Sequence, residues 1–277
     1  MTLAEFLTRY PFVLPSFAAG LIVALLCSVL SVYVVLRKMA FIGQGIGHAA
    51  FGGVALGLWL VPASAGPLDW RVYLIAVGFC LLNAAAIGLI TRRTDLSEDT
   101  AIGILFVVSM SLGAILFHRS TGQVSDLFSY LFGSVVAVTW SDVATMAGLG
   151  CVVLGTVTLL SKELQYLCFD EPSALAAGLP VGWLHHLLLA LLSLTVVLAV
   201  KVVGIILVSA ALVLPGATGR LVCRSFGGMM LASAGFGVVA TMAGLLVANL
   251  VDVPAGAAVV LVQSAVFVGV WLAAGRR

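Results

Sequence analysis

Long apolar runs repeat along the chain, and short polar stretches separate them. They lie near 14–36, 39–61, 71–91, 101–117, 141–161, 183–201, 203–219, 227–250 and 254–274. Most hold about 20 residues, the length that an α-helix needs to cross the hydrocarbon core of a bilayer. The runs at 101–117 and 203–219 are shorter, and Pro215 and Gly216 interrupt the second. The pattern predicts an all-α polytopic membrane protein with about eight to nine transmembrane helices.

Composition supports this prediction and narrows the possible functions. Of the 277 residues, 62% are hydrophobic and 9% are charged, whereas soluble domains carry about 25% charged residues. The polar gaps are too short for a separate soluble domain, so residues 1–277 are predicted to form a single transmembrane domain in the lipid bilayer. A membrane β-barrel would show short alternating strands instead. The net charge of +2 is too small to indicate a nucleic-acid partner.

The basic residues predict the orientation of the helices. We place residues 162–182 in the cytoplasm and let all nine runs cross the membrane. The cytoplasmic loops then hold nine basic residues: Arg37, Lys38, Arg92, Arg93, Lys162, Arg220, Arg224, Arg276 and Arg277. The external side holds four: Arg9, Arg71, Arg119 and Lys201. Because cytoplasmic loops are enriched in Lys and Arg, the C-terminus is expected in the cytoplasm.

The run at 39–61 carries polar side chains at membrane depth. Gln44 and His48 are four residues apart and therefore share one helix face. Glycine and alanine surround them. An ionisable residue inside a membrane helix indicates a functional site, whereas small residues also permit close helix packing, with His48 bonded to a carbonyl. Both interpretations stay open on these residues.

Three further segments bear on function. Residues 121–142 mix aromatic and acidic residues, which predicts an external or interfacial hairpin. Residues 161–182 form the most polar interior stretch and contain a short predicted helix, with acids at its start and Gly178 and Pro180 at its end. That segment is either a docking element or a solvated loop. The run at 204–216 is interrupted by glycine and proline, as are segments that line binding sites in transporters.

Other polar residues have simpler interpretations. Glu98 and Asp99 precede a predicted helix, so they are interpreted as N-terminal capping acids. His185 and His186 lie at the start of an apolar run near the cytoplasmic interface, where interfacial anchoring is favoured over metal ligation.

Six stretches, taken together and in order, resemble one family. They are RKMAFIGQGIGHAAFGGVALG (37–57), SEDTAIGILFVVSMSLGAIL (97–116), LFGSVVAVTWSDV (131–143), FDEPSALAAGLPVG (169–182), VKVVGIILVSAALVLPGAT (200–218) and LVDVPAGAAVVLV (250–262). They are similar to the permease subunit of ATP-binding-cassette importers for divalent metals such as zinc, manganese or iron, the ABC-3 family. The resemblance covers nearly the whole chain.

The resemblance implies a fold, partners and a location. It implies a type II ABC importer-like permease that works as a homodimer in the bacterial plasma (inner) membrane. It would receive metal from an extracytoplasmic metal-binding protein and be driven by two cytoplasmic ATP-binding subunits. The coupling segment would seat in those subunits through seven residues: Asp170, Glu171, Ala174, Ala177, Gly178, Leu179 and Pro180. The metal would be cargo, with no permanently bound cofactor.

The resemblance also implies the metal pathway. His48 matches the histidine of the family motif G-D-x-x-S/A-H-A, and Gln44 stands where many members have aspartate. A neutral amide oxygen in place of a carboxylate favours an imidazole-friendly ion, so zinc is the expected cargo, with manganese or iron possible. Two copies of the chain would supply up to four ligands, the coordination number usual for zinc. Gly45, Gly52 and Ser209 are expected to line the same pathway.

Alternative functions differ in what the sequence must contain. A permease for a metal-chelate or vitamin-type cargo would need a wider path and is usually longer. A gradient-driven secondary transporter would place acids near the membrane midplane, whereas the acids here fall in loops or at helix ends. An intramembrane enzyme would need a constellation such as H-E-x-x-H, and none is present. The chain also lacks the ATP-binding motif G-x-x-x-x-G-K-[ST], so ATP hydrolysis is expected in a separate partner.

Overall fold

The computed structural model of the chain describes residues 13–61, 70–120, 138–251 and 253–274. This part of the chain contains eleven α-helices and no β-strand. In chain order the helices are α1 (Val13–Leu36), α2 (Ile42–Leu60), α3 (Trp70–Arg93), α4 (Glu98–Ser120), α5 (Trp140–Leu159), α6 (Ser161–Phe169), α7 (Glu171–Ala176), α8 (Val181–Ala211), α9 (Leu214–Val222), α10 (Phe226–Val251) and α11 (Ala255–Ala274). The hairpin predicted at 121–142 falls mostly on residues 121–137, outside the described residues.

Eight helical segments in the described ranges are long and apolar enough to cross a membrane. They are Leu14–Leu36, Trp70–Arg93, Glu98–Arg119, Trp140–Leu159, Val181–Val200, Gly204–Val222, Phe226–Val251 and Ala255–Ala274. The prediction of an all-helical membrane protein with eight to nine spans is confirmed. Helix α2 is not among the eight although it has 19 residues. Its sequence contains several glycines and the polar residues Gln44 and His48.

Helix α8 is interrupted in the middle of its length. Gly204 has φ 78° and ψ 163°, which is non-helical and lies where a side chain would be strained. The chain therefore bends at Gly204 and continues as a second helical segment. A second interruption follows near Val213, and α9 starts with Pro215 in its first turn. The sequence predicts a break between the apolar runs at 183–201 and 203–219 and an interruption at Pro215 and Gly216. It does not predict the positive φ of Gly204.

Helix α2 packs inside a group formed by α3, α4 and α8, and its glycines permit the close approach. A β-carbon at Gly43 would lie 3.1 Å from the Cα of Ser209 on α8. A β-carbon at Gly52 would lie 2.7 Å from the carbonyl oxygen of Ser109 on α4. Because real β-carbons do not approach a backbone that closely, larger residues would push these helices apart. The small residues of α2 therefore serve helix packing over much of its length.

A buried apolar cluster includes side chains of α1, α2 and the first half of α8. Tyr33, Leu30, Ile46, Leu188 and Leu192 are fully buried in it. Close packing of such side chains holds the end of α1 and the starts of α2 and α8 in defined positions. This places Arg37, which directly follows α1, against the first turns of α4 and α8.

Candidate metal pathway and coupling segment

A cavity of about 430 Å³ lies between the first turns of α2 and α4. Its walls are Phe41, Gln44, Gly45, Asp99, Thr100, Ile102, Gly103 and Phe106. The two helices run in the same direction, since Gly45 meets Ile102 and Gly52 meets Ser109 further along both. Two of the predicted pathway residues, Gln44 and Gly45, thus line this cavity, and α4 forms the opposite wall.

Asp99 is the carboxylate of this cavity, and the sequence interpretation missed it. One of its oxygens, Oδ1, is buried and has no hydrogen-bond partner among the described residues. Asp99 does not supply the capping hydrogen bond of α4, because the backbone N–H of Thr100 donates to Ser97 Oγ at 3.2 Å. The interpretation of Glu98 and Asp99 as the capping residues is therefore wrong in this respect. Asp99 and Gln44 line the same cavity because α2 packs against α4. This packing cannot be read from the sequence.

His48 lies one turn beyond Gln44 on α2, about 6 Å further along the helix axis. Its ring meets the ring of Phe106 edge to face, with centroids 4.7 Å apart. Its Nδ1 is buried without a hydrogen-bond partner among the described residues. Phe106 thus separates His48 from the cavity and touches both. Asp99, Gln44 and His48 follow one another along the α2–α4 contact.

The other predicted lining residues lie at helix contacts. Gly52 touches the backbone of α4, which favours packing as its role. The backbone of Ser209 packs against Gly43, and the Ser209 hydroxyl donates to the carbonyl of Ile205 at 3.0 Å. A role of either residue in the pathway stays a prediction.

The short helix in the predicted coupling segment is confirmed as α7. Asp170 caps its start, where Oδ1 accepts from the backbone N–H of Ser173 at 3.1 Å. Hydrogen bonds from the Ser173 side chain and backbone lower the pKa of Asp170. At its end the N–H of Leu179 donates to the carbonyl of Ala174 at 3.1 Å, and Gly178 adopts φ 78°. This is a Schellman motif, which requires the left-handed conformation that glycine favours.

A second short helix, α6, precedes α7 and was not predicted. Its Leu164 and Leu167 are buried, whereas Tyr166 and Phe169 are each more than half exposed. The spacing of Leu164 and Leu167 by three residues is the signal that indicates this helix. In α7 only Ala174 is fully buried, and Leu175 is 57% exposed.

The exposed residues of the segment continue past the end of α7. Ala177, Gly178 and Pro180 are exposed, and Leu179 is half-buried. Helices α6 and α7 thus present an exposed apolar surface, formed by Tyr166, Phe169 and Leu175. We call it the docking surface.

Behind this surface, Arg37 joins charged and polar groups from four elements. Its Nη1 donates to Glu171 Oε2 at 2.7 Å and to the carbonyl of Leu167 at 3.2 Å. Its Nη2 donates to Glu98 Oε1 at 2.9 Å and to His185 Nδ1 at 3.3 Å. Burial works against the charge of Arg37, but the hydrogen bond with Glu171 and the charges of both glutamates outweigh it and raise the pKa of Arg37. We call Arg37, Glu98, Glu171 and His185 the Arg37 cluster.

His185 is buried in this cluster, at 4% exposure, so its expected role as an interfacial anchor is wrong. An arginine side chain can only donate hydrogen bonds. Nδ1 of His185 must therefore accept, which makes the imidazole neutral in this arrangement. Its distance of 3.8 Å from Glu98 Oε1 is consequently a contact and not an ion pair.

Comparison with known proteins decides the family. The family model of the ABC 3 transport family matches residues 9–274. The chain belongs to this family. The permease is 36% identical over 261 residues to the manganese transport system membrane protein MntC of Halalkalibacterium halodurans, covering 94% of the permease and 87% of that protein. It is 33% identical over 261 residues to the chelated iron transport system membrane protein YfeD of Yersinia pestis, covering 94% and 84%.

A solved structure shows the same fold. The permease matches a chain of PsaBC from Streptococcus pneumoniae, determined in complex with a Fab, with a TM-score of 0.84 and 33% identity. The match covers 98% of the permease and 95% of that chain. The resemblance to the permeases of metal importers is therefore confirmed, as is the type II importer-like permease fold.

Proposed function

We propose that this permease moves a divalent transition metal into the cytoplasm along the contact between α2 and α4. The observation that carries the proposal is the cavity in which Asp99 faces the helix of Gln44 and His48. Two buried polar atoms along this contact, Asp99 Oδ1 and His48 Nδ1, have no partner among the described residues. Buried polar atoms are nearly always hydrogen-bonded, so unpartnered ones in a transport protein are suited to bind a passing ion.

The donor set limits which metals fit. Asp99 offers a carboxylate oxygen, Gln44 an amide oxygen and His48 an imidazole nitrogen. Gln44 and His48 alone favour zinc, whereas an added carboxylate also suits manganese and ferrous iron. The relatives named for manganese and for chelated iron support the same wider range. Zinc, manganese and ferrous iron are therefore the cargoes to compare.

The ligand set of one chain is incomplete, which supports a homodimer. Within the described ranges, no group of three His, Cys, Asp or Glu residues lies close enough to hold a metal ion. Zinc usually takes four ligands. A second copy facing the same axis would double the donors from Asp99, Gln44 and His48. Incomplete coordination by each copy also suits a transporter, because an ion bound too tightly is not released.

Two features support the proposed energy source and partners: the sequence has no ATP-binding motif, and the docking surface is exposed. Two cytoplasmic ATP-binding subunits would therefore drive the permease through that surface. The seven predicted coupling residues include the exposed Ala177, Gly178 and Pro180, which lie beside that surface. An extracytoplasmic binding protein would deliver the metal. The bias of the basic residues supports this orientation, with the C-terminus in the cytoplasm of a bacterial cell.

The experiment that tests the proposal is ATP hydrolysis by the reconstituted complex in the presence of its binding protein. Zinc, manganese and ferrous iron are added in turn, and uptake of the labelled ion is measured in parallel. Stimulation and uptake with one of these metals are expected. No response to any metal would overturn the proposal and point to a metal-chelate cargo.

The variant His48→Ala tests the pathway in the same assay. Uptake should fall while the complex still assembles, because the imidazole proposed as a ligand along the α2–α4 contact is lost. A neutral imidazole is needed for metal ligation, so uptake by the parent protein should also fall as the pH drops through the pKa of His48. Normal uptake by an assembled His48→Ala complex would remove His48 from the pathway.

A further inference from the structure

We infer that Arg37 is a positioning residue that fastens the docking surface to the first turn of α4, so that movement of α6 and α7 reaches the cavity. The inference rests on the proposed function, since it concerns how that function is driven. It assigns to Arg37 and Glu98 a role in transmission that neither charge pattern nor motif indicates.

The first half of the connection lies on the docking side. A single nitrogen of Arg37, Nη1, bonds both the carboxylate of Glu171 on α7 and the carbonyl of Leu167 on α6. Both short helices are therefore held by the same group. The Glu171 side chain is 42% exposed, whereas that of Arg37 is 13% exposed. Water reaches the outer end of this connection more easily, so it is the end that can loosen when the segment moves.

The second half lies on the cavity side. The other nitrogen, Nη2, bonds Glu98 Oε1 at 2.9 Å, and the Glu98 side chain is only 19% exposed. Glu98 directly precedes Asp99, the carboxylate of the cavity. The turn that joins them is held by the backbone bond from Ala101 to Ser97, and Ala101 and Ile102 are buried. A displacement of Glu98 therefore displaces Asp99 relative to Gln44.

The chemistry of the guanidinium suits this task. Its planar group presents donors in a rigid fork, so the two glutamates are held in one geometry. Charge-assisted hydrogen bonds of this kind are about twice as strong as neutral ones. Both carboxylates bond the same guanidinium. A shift of either carboxylate therefore moves the guanidinium and changes its hydrogen bond to the other carboxylate. Helices 61 and 134 residues away from Arg37 in the sequence are thus coupled through one side chain.

The test compares Glu171→Gln with Glu163→Gln in the complete complex. Both variants replace a carboxylate by an amide in the same segment. Glu163 on α6 is the matched control because it is an acid of the same segment that is not among the hydrogen-bond partners of Arg37. Two quantities are measured: the metal ions taken up per ATP hydrolysed, and hydrogen exchange of the backbone amides at 97–101 and at 161–176.

The account predicts that Glu171→Gln lowers the ions moved per ATP by at least about fivefold, the lower range of allosteric coupling. It also predicts faster exchange both at 161–176 and at 97–101, which are distant in sequence. Glu163→Gln should change neither quantity. Exchange that rises only at 161–176, or uptake per ATP equal to that of the parent protein, would overturn the inference.

The two proposals fail in different ways. If the parent complex takes up none of the three metals, the proposed function is wrong. The exchange measurement still decides whether Arg37 joins the docking surface to α4, because it requires no transport. A parent complex that transports metal, together with unchanged exchange at 97–101 in Glu171→Gln, would leave the proposed function intact and remove the role of Arg37.

Discussion

Two polar regions lie at the same end of α4, and they differ in whether a cation lies beside their carboxylates. In the Arg37 cluster, the carboxylates of Glu98 and Glu171 share one guanidinium at 2.9 and 2.7 Å. In the cavity, one residue further along, the carboxylate of Asp99 has no cation within ion-pair distance among the described residues, and its Oδ1 has no hydrogen-bond partner. Glu98 also has one buried oxygen, Oε2, without a hydrogen-bond partner among the described residues. What distinguishes the two neighbouring acids is therefore the guanidinium of Arg37 beside Glu98.

The difference indicates separate roles for the two acids. A carboxylate whose charge is already compensated gains little from a metal ion and is suited to hold helices together. A partly buried carboxylate without a cation gains most from binding one, because burying an unpaired charge is costly. Arg37 balances the charge of Glu98, so Glu98 is suited to connect helices. Asp99 has no such cation within the described ranges and is the proposed metal ligand.

The largest expected effect is loss of stability in Arg37→Ala. The substitution leaves Glu98 with no cation, and removing one partner of a buried ion pair costs about 3–5 kcal/mol. The exposure of Glu171 places the expected cost at the lower end. Thermal unfolding of the purified permease should therefore shift to a clearly lower temperature. Arg93→Ala, at an exposed position, is the control and should leave the transition unchanged; an equal shift in both variants would contradict the account.

The next largest effect is expected for Asp99→Asn, measured as metal uptake. Loss of groups that only support a metal ligand already costs about 10- to 100-fold in affinity or activity, so loss of a ligand should cost at least about tenfold. Stability should change little, since Asp99 Oδ1 bonds nothing among the described residues. Asp95→Asn makes the same change at an exposed position just before α4. If both variants transported equally well, Asp99 would not be a ligand.

A pair of glycine variants separates packing from the pathway. Gly52→Ala places a β-carbon 2.7 Å from the Ser109 carbonyl oxygen, and overpacking of this kind costs about 1–3 kcal/mol. Gly103 lines the cavity, and no atom would lie within 4 Å of a β-carbon there. Gly103→Ala should therefore keep the unfolding temperature of the parent protein. Equal destabilisation of the two variants would show that the cavity wall is as tightly packed as the α2–α4 contact.

The smallest effect is expected for Gln44→Asp, which restores the acid of the family motif. A second carboxylate in the cavity should lower the KM for manganese more than the KM for zinc, because manganese prefers oxygen ligands. Gln44→Glu is the control for side-chain length. Uptake kinetics with both metals check the prediction, and a larger gain with zinc would contradict the proposed donor set.

The sequence predicted the spans and the short helix α7 because both depend on local signals. Apolar runs of membrane length need no tertiary information, and the cap at Asp170 and the stop at Gly178 act within a few residues. The separate apolar runs at 183–201 and 203–219 also predicted a break beside Gly204. Its positive φ appears only in the structure.

The site was predicted only in part, for a physical reason. Gln44 and His48 lie on one helix, so their spacing places them on one face. Asp99 and the Arg37 cluster depend on contacts between segments more than 50 residues apart, and no spacing rule reaches across such distances. The sequence interpretation treated Glu98 and Asp99 alike, as acids at a helix start. In the structure Glu98 meets Arg37, whereas Asp99 faces α2 across the cavity.

The most direct test of the central claim is to locate the metal by anomalous X-ray scattering in crystals of the complete complex loaded with manganese. The account predicts a peak on the contact between α2 and α4, within ligand distance of Asp99 and of Gln44 or His48. The peak should be absent from the Asp99→Asn complex and present in Asp95→Asn. A peak elsewhere in the membrane region, unchanged by Asp99→Asn, would contradict the claim that the metal passes through this cavity.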